Sequence, residues 1–186
     1  MAEVKILVEG YTIAGKPGRK ERTCATISLI IDKNIKMIVD PGNLKDNKIL
    51  IKALKKEKLK AEDINYVALT HSHIDHFMNI GLFPNAKVIE FYGIWHRDTV
   101  EDWNKNFTKN IEIIKTLGHS DTGISLIVNT PKGKIAIVGD VFWKEGYPKE
   151  DPYASNNDKL KESRKLILEK ADYIIPGHGG IFKIKK

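Results

Sequence analysis

Four short apolar segments of this sequence each end close to a histidine or an aspartate. Val39 precedes Asp40, Leu69-Thr70 precedes His71, Val138-Gly139 precedes Asp140, and Ile175 is followed by Pro176, Gly177 and His178. Strands of a layered α/β domain end together at one edge of a sheet, so polar side chains at their ends are expected to meet there. The recurrence predicts an α/β fold with a functional site at a sheet edge.

The hydrophobic pattern between these points fits such a fold. Two helices are expected, over Leu44–Leu59 and from about Ser155 to Lys170, and a polar loop is expected over Tyr11–Arg22. The sequence shows no repeat, low-complexity tract or linker, so one domain over 1–186 is expected. Strands are expected at Val4–Val8, Cys24–Ile31, Ile35–Val39, Tyr66–Leu69, Ala86–Phe91, Ile111–Ile114, Ile124–Val128, Ile135–Val138 and Tyr173–Ile175.

Composition excludes several classes of protein. Apolar residues make up 41% of the 186 residues and charged residues 30%, which is typical of a soluble globular chain. No apolar run approaches the roughly 18 residues of a membrane span, and the N-terminal segment lacks a charged and then apolar leader, so a cytoplasmic protein is expected. The lone cysteine, Cys24, excludes an intrachain disulfide and is expected to be a buried thiol.

The net charge of +7 has two interpretations. A basic surface suits an anionic partner, such as nucleic acid or a phosphorylated metabolite. Lysines spread along the chain are also typical of an ordinary solvated surface, as in Lys-rich and Glu-rich thermophile proteins. The sequence leaves both open.

The segment His71-Ser72-His73-Ile74-Asp75-His76 places four candidate metal ligands within six residues. In an extended segment His71 and His73 point the same way and can share one ion. If a helix follows, Asp75 and His76 turn towards a second ion. Imidazole and carboxylate ligands favour zinc, iron, nickel or manganese, and the lack of nearby cysteines excludes a structural thiolate zinc site.

Three further candidates follow along the chain: His119 after the flexible Gly118, Asp140 after a strand, and His178 in a Pro-Gly-His-Gly loop. The carboxylate of Asp140 can bridge two cations. Asp40 is either an acceptor that holds a ligand histidine or a residue that forms a turn. His96 and several aromatic residues could line a substrate cleft, although packing is their commoner role: Trp95, Trp103, Phe142, Trp143 and Tyr147.

Taken together, these motifs resemble the metallo-β-lactamase superfamily over nearly the whole chain. The stretches HSHIDHFMNIGLFPNAKV, GDVFWKEGYPKEDP and IIPGHGGIF look most similar to its small members of the metallo-β-lactamase domain-containing protein 1 type. The resemblance implies a four-layer αββα sandwich of two mixed β-sheets. It further implies a first ion held by His71, His73 and His119, a second held by Asp75, His76 and His178, and Asp140 between them.

The expected function is that of a metal-dependent hydrolase with two divalent ions, zinc first and iron or manganese as alternatives. The ions would share a hydroxide that attacks the substrate, with Asp75 and Asp140 as the catalytic side chains. The subgroup has been linked to RNA phosphodiester cleavage, which suggests an anionic substrate such as single-stranded RNA or a small phosphodiester. Alternatives are a thioester, lactone or β-lactam hydrolase of the glyoxalase II type, an iron-dependent dioxygenase, or a metal-binding module without catalysis. No membrane partner is expected, and a homo-oligomer is compatible with the sequence.

Overall fold

The computed structural model describes residues 1–13, 18 and 20–185, so residues 14–17 and 19 of the expected Tyr11–Arg22 loop lie outside it. Its helices are α1 (Lys48–Lys56), α2 (Ile74–Phe77) and α3 (Asn157–Lys170). Short 3-10 turns occupy Ala61–Asp63, Ile80–Leu82 and Gly139–Val141. Its strands are β1 (Glu3–Val8), β2 (Tyr11–Thr12), β3 (Thr23–Cys24), β4 (Ile27–Asp32), β5 (Ile35–Val39), β6 (Tyr66–Ala68), β7 (Lys87–Ile89), β8 (Ile94–His96), β9 (Thr99–Glu101), β10 (Ile111–Lys115), β11 (Ile124–Thr130), β12 (Gly133–Ile137), β13 (Tyr173–Ile175) and β14 (Phe182–Lys183).

The strands form two mixed sheets and a small ribbon. The first sheet has the order β1-β4-β5-β6-β7-β8-β9, in which β5, β6 and β7 are parallel and the other neighbours antiparallel. The second has the order β10-β11-β12-β13-β14, with β12 and β13 parallel. Strands β2 and β3 pair separately. Each sheet therefore contains adjacent parallel strands whose carboxyl ends meet.

The apolar residues define four layers. Ile30 and Met37 of the first sheet and Ile113 and Leu126 of the second lie in one buried cluster between the sheets. On the outer faces, α1 packs against the first sheet and α3 against the second. Each fully buried aliphatic side chain contributes roughly 1.5–3 kcal/mol relative to exposure. The predicted αββα sandwich is confirmed.

Helix α1 is shorter than the predicted Leu44–Leu59. Lys58 adopts a left-handed conformation with φ 59°, and the amide of Leu59 donates to the carbonyl of Leu54. The amide of Lys58 donates to the carbonyl of Lys55, which completes a Schellman ending. Because a lysine occupies the position where glycine is usual, the sequence carries no stop signal there.

The predicted strand Cys24–Ile31 is divided into β3 and β4. At the break, the amide of Ala25 donates to the carbonyl of Asp75, and that of Thr26 to the carbonyl of Gly177. At this break the backbone amides bond to α2 and to the loop after β13, and not to a neighbouring strand. The break therefore ties the β2–β3 ribbon to two of the segments that carry predicted ligands.

Four of the described strands were not predicted: β2, which lies in the expected Tyr11–Arg22 loop, and β8, β9 and β14. The β8–β9 hairpin turns at Arg97 and Asp98, with Arg97 at φ 58°. Hairpin turns of this kind usually contain glycine or asparagine, so the signal is weak. Among the described helices, none combines the length and the apolar character needed to cross a bilayer.

Candidate metal centre

The four strand ends singled out in the sequence meet at one edge of the sandwich. Asp40 follows β5, His71 lies just beyond β6, Asp140 lies in the turn after β12, and His178 follows β13. Strands β5 and β6 are parallel, as are β12 and β13, so each pair delivers its following residues to the same edge. The site therefore draws side chains from both sheets.

The 71–76 segment changes conformation in the way the sequence suggested. His73 is extended, with φ −75° and ψ 138°, and helix α2 begins at the next residue. The ring centroids of His71 and His73 are 4.5 Å apart, and each lies within 4.9 Å of the His119 ring. Asp75 and His76, in the first turn of α2, lie with His178 instead. One segment thus contributes to two neighbouring groups.

The ligand atoms of each group lie within 4.8 Å of one another, a spacing that one ion could satisfy. The groups are His71, His73, His119 and Asp140, and then Asp75, His76 and His178. Asp140 contacts both: its Oδ1 lies 3.3 Å from His76 Nε2 and 3.1 Å from His178 Nε2, and its Oδ2 lies 3.5 Å from His119 Nε2. All seven residues predicted as ligands are brought together, with Asp140 where a bridging carboxylate would lie.

Several ligand atoms lack the hydrogen bonds that burial normally demands. His71 Nε2, His76 Nε2 and Asp140 Oδ1 are buried without a hydrogen-bond partner among the described residues. His76 Nε2 and Asp140 Oδ1 are close, but they are not aligned as donor and acceptor. Unsatisfied buried polar atoms are costly, and these three point into one cluster of imidazole and carboxylate groups. The donor set and its orphaned atoms fit divalent cations.

Charge coupling within the cluster is strong. Burial lowers the pKa of His71 well below its ordinary value, and the neighbouring His76 adds to this. Burial would lower the pKa of His76 too, but Asp140 and Asp40 outweigh it and raise the pKa well above the ordinary value. Burial opposes ionisation of Asp140, yet His76 and His178 hold its pKa well below the usual range. The carboxylates of Asp140 and Asp40 therefore favour positive charge in this part of the cluster.

Two polar residues outside the ligand set hold members of it in place. The Asp40 carboxylate accepts hydrogen bonds from His76 Nδ1 at 2.8 Å and from the Thr70 hydroxyl at 2.7 Å. Asp40 also has φ 51°, so it combines the two roles considered for it, turn residue and acceptor. The Thr23 hydroxyl donates to Asp75 at 2.9 Å and lies 3.2 Å from His178 Nδ1.

Glycines provide the space in which two ligands lie. A β-carbon at Gly118, whose φ is 119°, would overlap the backbone of Leu160 in α3. A β-carbon at Gly177 would overlap the Asp140 carboxylate. The loops that carry His119 and His178 can approach the cluster only because neither glycine has a side chain.

An open cleft of about 430 Å³ leads to the cluster. One wall is the stacked pair Trp143 and Tyr153, with ring centroids 5.8 Å apart and planes at 11°. The Tyr153 hydroxyl donates to Glu21 at 2.7 Å, and this hydrogen bond raises the pKa of Tyr153 to about 12. The cleft is lined by Thr12, Glu21, Thr23, His73, Ile74, Asp75, His119, Asp140, Trp143, Tyr153 and His178.

The secondary candidates from the sequence divide clearly. Trp143 lines the cleft, and the ring of Tyr147 packs against the Trp143 ring with 5.9 Å between their centroids. Trp95 and His96 lie on the exposed strand β8, and they and the other aromatic candidates, Trp103 and Phe142, are not among the residues that line the cleft. Sequence reasoning missed Glu21, Thr23 and Tyr153, which reach the cleft from loops and from the β2–β3 ribbon.

Comparison with known proteins gives consistent matches. Residues 25–110 match the profile of the metallo-beta-lactamase superfamily. The chain is 29% identical to metallo-beta-lactamase domain-containing protein 1 of Xenopus laevis, over 98% of this chain and 82% of that protein. It is 35% identical to a probable metallo-hydrolase of Methanocaldococcus jannaschii, over 96% of this chain and 87% of that protein. It spans 49–63% of the matched nematode and mammalian relatives.

Solved structures agree on the fold. A Thermotoga maritima protein, provisionally described as a metallo-beta-lactamase, superposes with a TM-score of 0.77 at 22% identity, over 98% of this chain and 99% of that one. An N-acyl homoserine lactone hydrolase, with the product N-hexanoyl-L-homoserine bound at its catalytic metal center, superposes with a TM-score of 0.70 at 17% identity. That match covers 95% of this chain and 92% of the other.

Proposed function

This chain is a metallo-hydrolase that belongs to the metallo-beta-lactamase superfamily, and from that premise we propose that it hydrolyses a small carboxyl-type substrate, such as a lactone, ester or thioester. The observation that carries the proposal is the cleft, in which an apolar wall of Trp143, Tyr153 and Ile74 stands directly beside the ligand cluster. Its volume, about 430 Å³, is in the range of small-molecule sites.

The proposed metal centre holds two divalent ions, with zinc as the first expectation. His71, His73 and His119 would hold one, Asp75, His76 and His178 the other, and Asp140 would contact both. Bound ions would supply a water of lowered pKa and would polarise the scissile carbonyl. The native metal is open, and iron or manganese would suit the same donors.

Asp75 is the side chain best placed to handle a proton beside the substrate. It lines the cleft, and its Oδ2 accepts the Thr23 hydroxyl at 2.9 Å. This bond fixes one carboxylate oxygen, so the other can orient a water molecule or accept its proton. Asp40 acts further back, where it fixes the His76 ring.

The cleft wall favours an uncharged acyl group over a polyanion. Ile74 is 56% exposed and Trp143 stacks on Tyr153, so an aliphatic chain or ring could cover apolar surface there. Glu21 adds a further carboxylate to the lining of the cleft, which would repel phosphate groups. The lactone hydrolase of the same fold, with its acyl product at a metal center, supports this substrate class.

A phosphodiester, including single-stranded RNA, is the second candidate. The net charge of +7 is the observation that favours it, because a basic surface attracts nucleic acid. The same donor set serves both reactions, so the substrate has to be distinguished by assay.

The test compares zinc-reconstituted protein on N-acyl lactones and thioesters of increasing chain length with its action on end-labelled single-stranded RNA. We expect kcat/KM to rise with acyl length and to exceed that for RNA. Ile74→Ser should raise KM for long acyl chains by about tenfold, since burial of an aliphatic side chain is worth roughly 1.5–3 kcal/mol. Ile49→Ser, at a 48% exposed position on α1, is the matched control and should change nothing. RNA cleavage without acyl hydrolysis would replace the proposal with the second candidate.

A further inference from the structure

A buried carboxylate stands behind the metal centre, in the loop that precedes α3. The side chain of Asp151 is fully buried, although neighbouring Pro152 and Tyr153 reach the surface. Its Oδ2 lies 2.7 Å from His119 Nδ1 and accepts Trp143 Nε1–H at 3.1 Å. Its Oδ1 accepts the backbone amide of Tyr153 at 2.9 Å. One carboxylate thus joins a proposed ligand to the Trp143 ring and to the backbone of Tyr153.

An aspartate that only stabilises a turn would need just one of these hydrogen bonds. The bond from Oδ1 to the amide two residues later is an ordinary turn interaction, and one oxygen suffices for it. Burial of a charged group is costly unless it is hydrogen-bonded throughout, so the second oxygen requires a further reason to be inside. That oxygen contacts His119 and Trp143, which belong to the metal cluster and to the cleft wall.

The contact to His119 determines which ring nitrogen faces the cluster. A carboxylate accepts but does not donate, so Asp151 favours the proton on Nδ1 of His119. Nε2 is then left with its lone pair, and it faces Asp140 Oδ2 at 3.5 Å and His73 Nδ1 at 3.0 Å. Carboxylates in this position fix the tautomer and orientation of ligand histidines in metal sites.

We propose that Asp151 is a positioning residue that orients the His119 ring so that Nε2 can bind the ion of the first group. Through its bond from Trp143, it also fixes the position of the aromatic wall relative to that ion. The inference rests on the proposed metal centre but not on the identity of the substrate. The residue acts through His119 and Trp143, and it takes no direct part in the reaction.

The test measures zinc affinity of the two groups separately, by chelator competition in the absence of substrate. Asp151→Asn should weaken one of the two zinc sites by about 10–100-fold and leave the other within about threefold, as expected for loss of a ligand-supporting carboxylate. Trp143→Phe is the matched control, because it removes the other side-chain donor to Oδ2 but keeps the bond from His119. It should leave both zinc affinities unchanged and shift KM for the substrate.

A second measurement uses the wild-type protein and does not depend on whether the variant folds. Nitrogen-15 NMR of labelled histidines should show His119 coordinating zinc through Nε2, with a hydrogen-bonded proton on Nδ1. Coordination through Nδ1, or equal weakening of both sites in Asp151→Asn, would overturn the inference. A wild-type protein that binds two zinc ions but hydrolyses no acyl substrate would refute only the proposed substrate. A wild-type protein that binds no zinc would refute the metal centre and this inference together.

Discussion

Replacement of Gly177 by alanine tests the geometry of the metal centre with a single methyl group. The backbone at Gly177 does not have the positive φ that disfavours alanine, so the substitution acts only through steric overlap of the added methyl group. The added β-carbon would overlap Asp140 Oδ1, and the carboxylate or the loop would have to move by about 1 Å. Functional groups in such sites are held to within about 0.5 Å of their working positions.

A displacement of this size in a group that contacts both ligand sets should be costly. We expect kcat/KM to fall by about 100-fold, or roughly 2.7 kcal/mol of transition-state stabilisation. Zinc affinity should fall at both groups, because Asp140 lies 3.1 Å from His178 Nε2 and 3.5 Å from His119 Nε2. Chelator competition measures the affinities, and metal analysis after dialysis gives the stoichiometry.

Gly81→Ala is the matched control for this experiment. Gly81 also lacks a positive φ, and a β-carbon there would meet no atom within 4 Å. Its substitution should leave zinc binding unchanged and stabilise the fold by up to about 1 kcal/mol through the unfolded chain. Wild-type zinc affinity in Gly177→Ala would refute the assignment of Asp140 to the centre.

Three further results are expected. Asp140→Asn should reduce zinc affinity at both groups by more than the roughly 10–100-fold cost of losing a supporting residue, as measured by chelator competition, because it removes the charge that faces both. Burial opposes ionisation of Asp32, but hydrogen bonds from Thr108 and Asn110 outweigh it and lower the pKa of Asp32. Ionised Asp32 therefore stabilises the folded state above the unfolded pKa of about 3.9, and this contribution is lost as pH falls through the lower folded pKa. Urea unfolding should therefore show Asp32→Asn to be about 1–3 kcal/mol less stable at pH 7, with the difference shrinking in acid; a constant difference would contradict this account. Ile113→Ala, at a fully buried position between the sheets, should cost about 2–5 kcal/mol in the same assay, with unchanged zinc content per folded molecule.

The local part of the architecture could be predicted from the sequence. The conformation of residues 71–76 was predicted correctly because the sequence signals for a strand, an extended link and a helix start follow one another along the chain. The structure shows these three elements in the same order. The paired strands β4 and β5, and likewise β11 and β12, were also predicted from their apolar runs. The strand ends predicted that His71, Asp140 and His178 meet, whereas the division of the seven ligand candidates into two groups was implied by the resemblance. Their binding of metal stays a prediction.

What the sequence could not predict depends on contacts between distant segments. Asp151 lies 32 positions from His119 and Tyr153 lies 132 from Glu21, and neither pair has a local pattern. The end of α1 was missed because Lys58 adopts a conformation that glycine usually signals. The basic charge left an anionic partner and an ordinary solvated surface both open, and an anionic substrate stays a prediction. The Glu21 carboxylate and the aromatic wall of the cleft come from distant segments and had no local signal.

The proposed ligands come from both halves of the sandwich, with His71 to His76 at the edge of the first sheet and His119, Asp140 and His178 at the edge of the second. An ion held by His71 and His119 would therefore add a link between two halves that also meet through apolar packing and through hydrogen bonds, such as that from the amide of Thr26 to the carbonyl of Gly177. A ligand at a thousand times its Kd adds about 4 kcal/mol to the stability of a folded state that alone can bind it. Metal supply would then govern how long the folded molecule survives proteolysis, as well as how fast it turns over substrate.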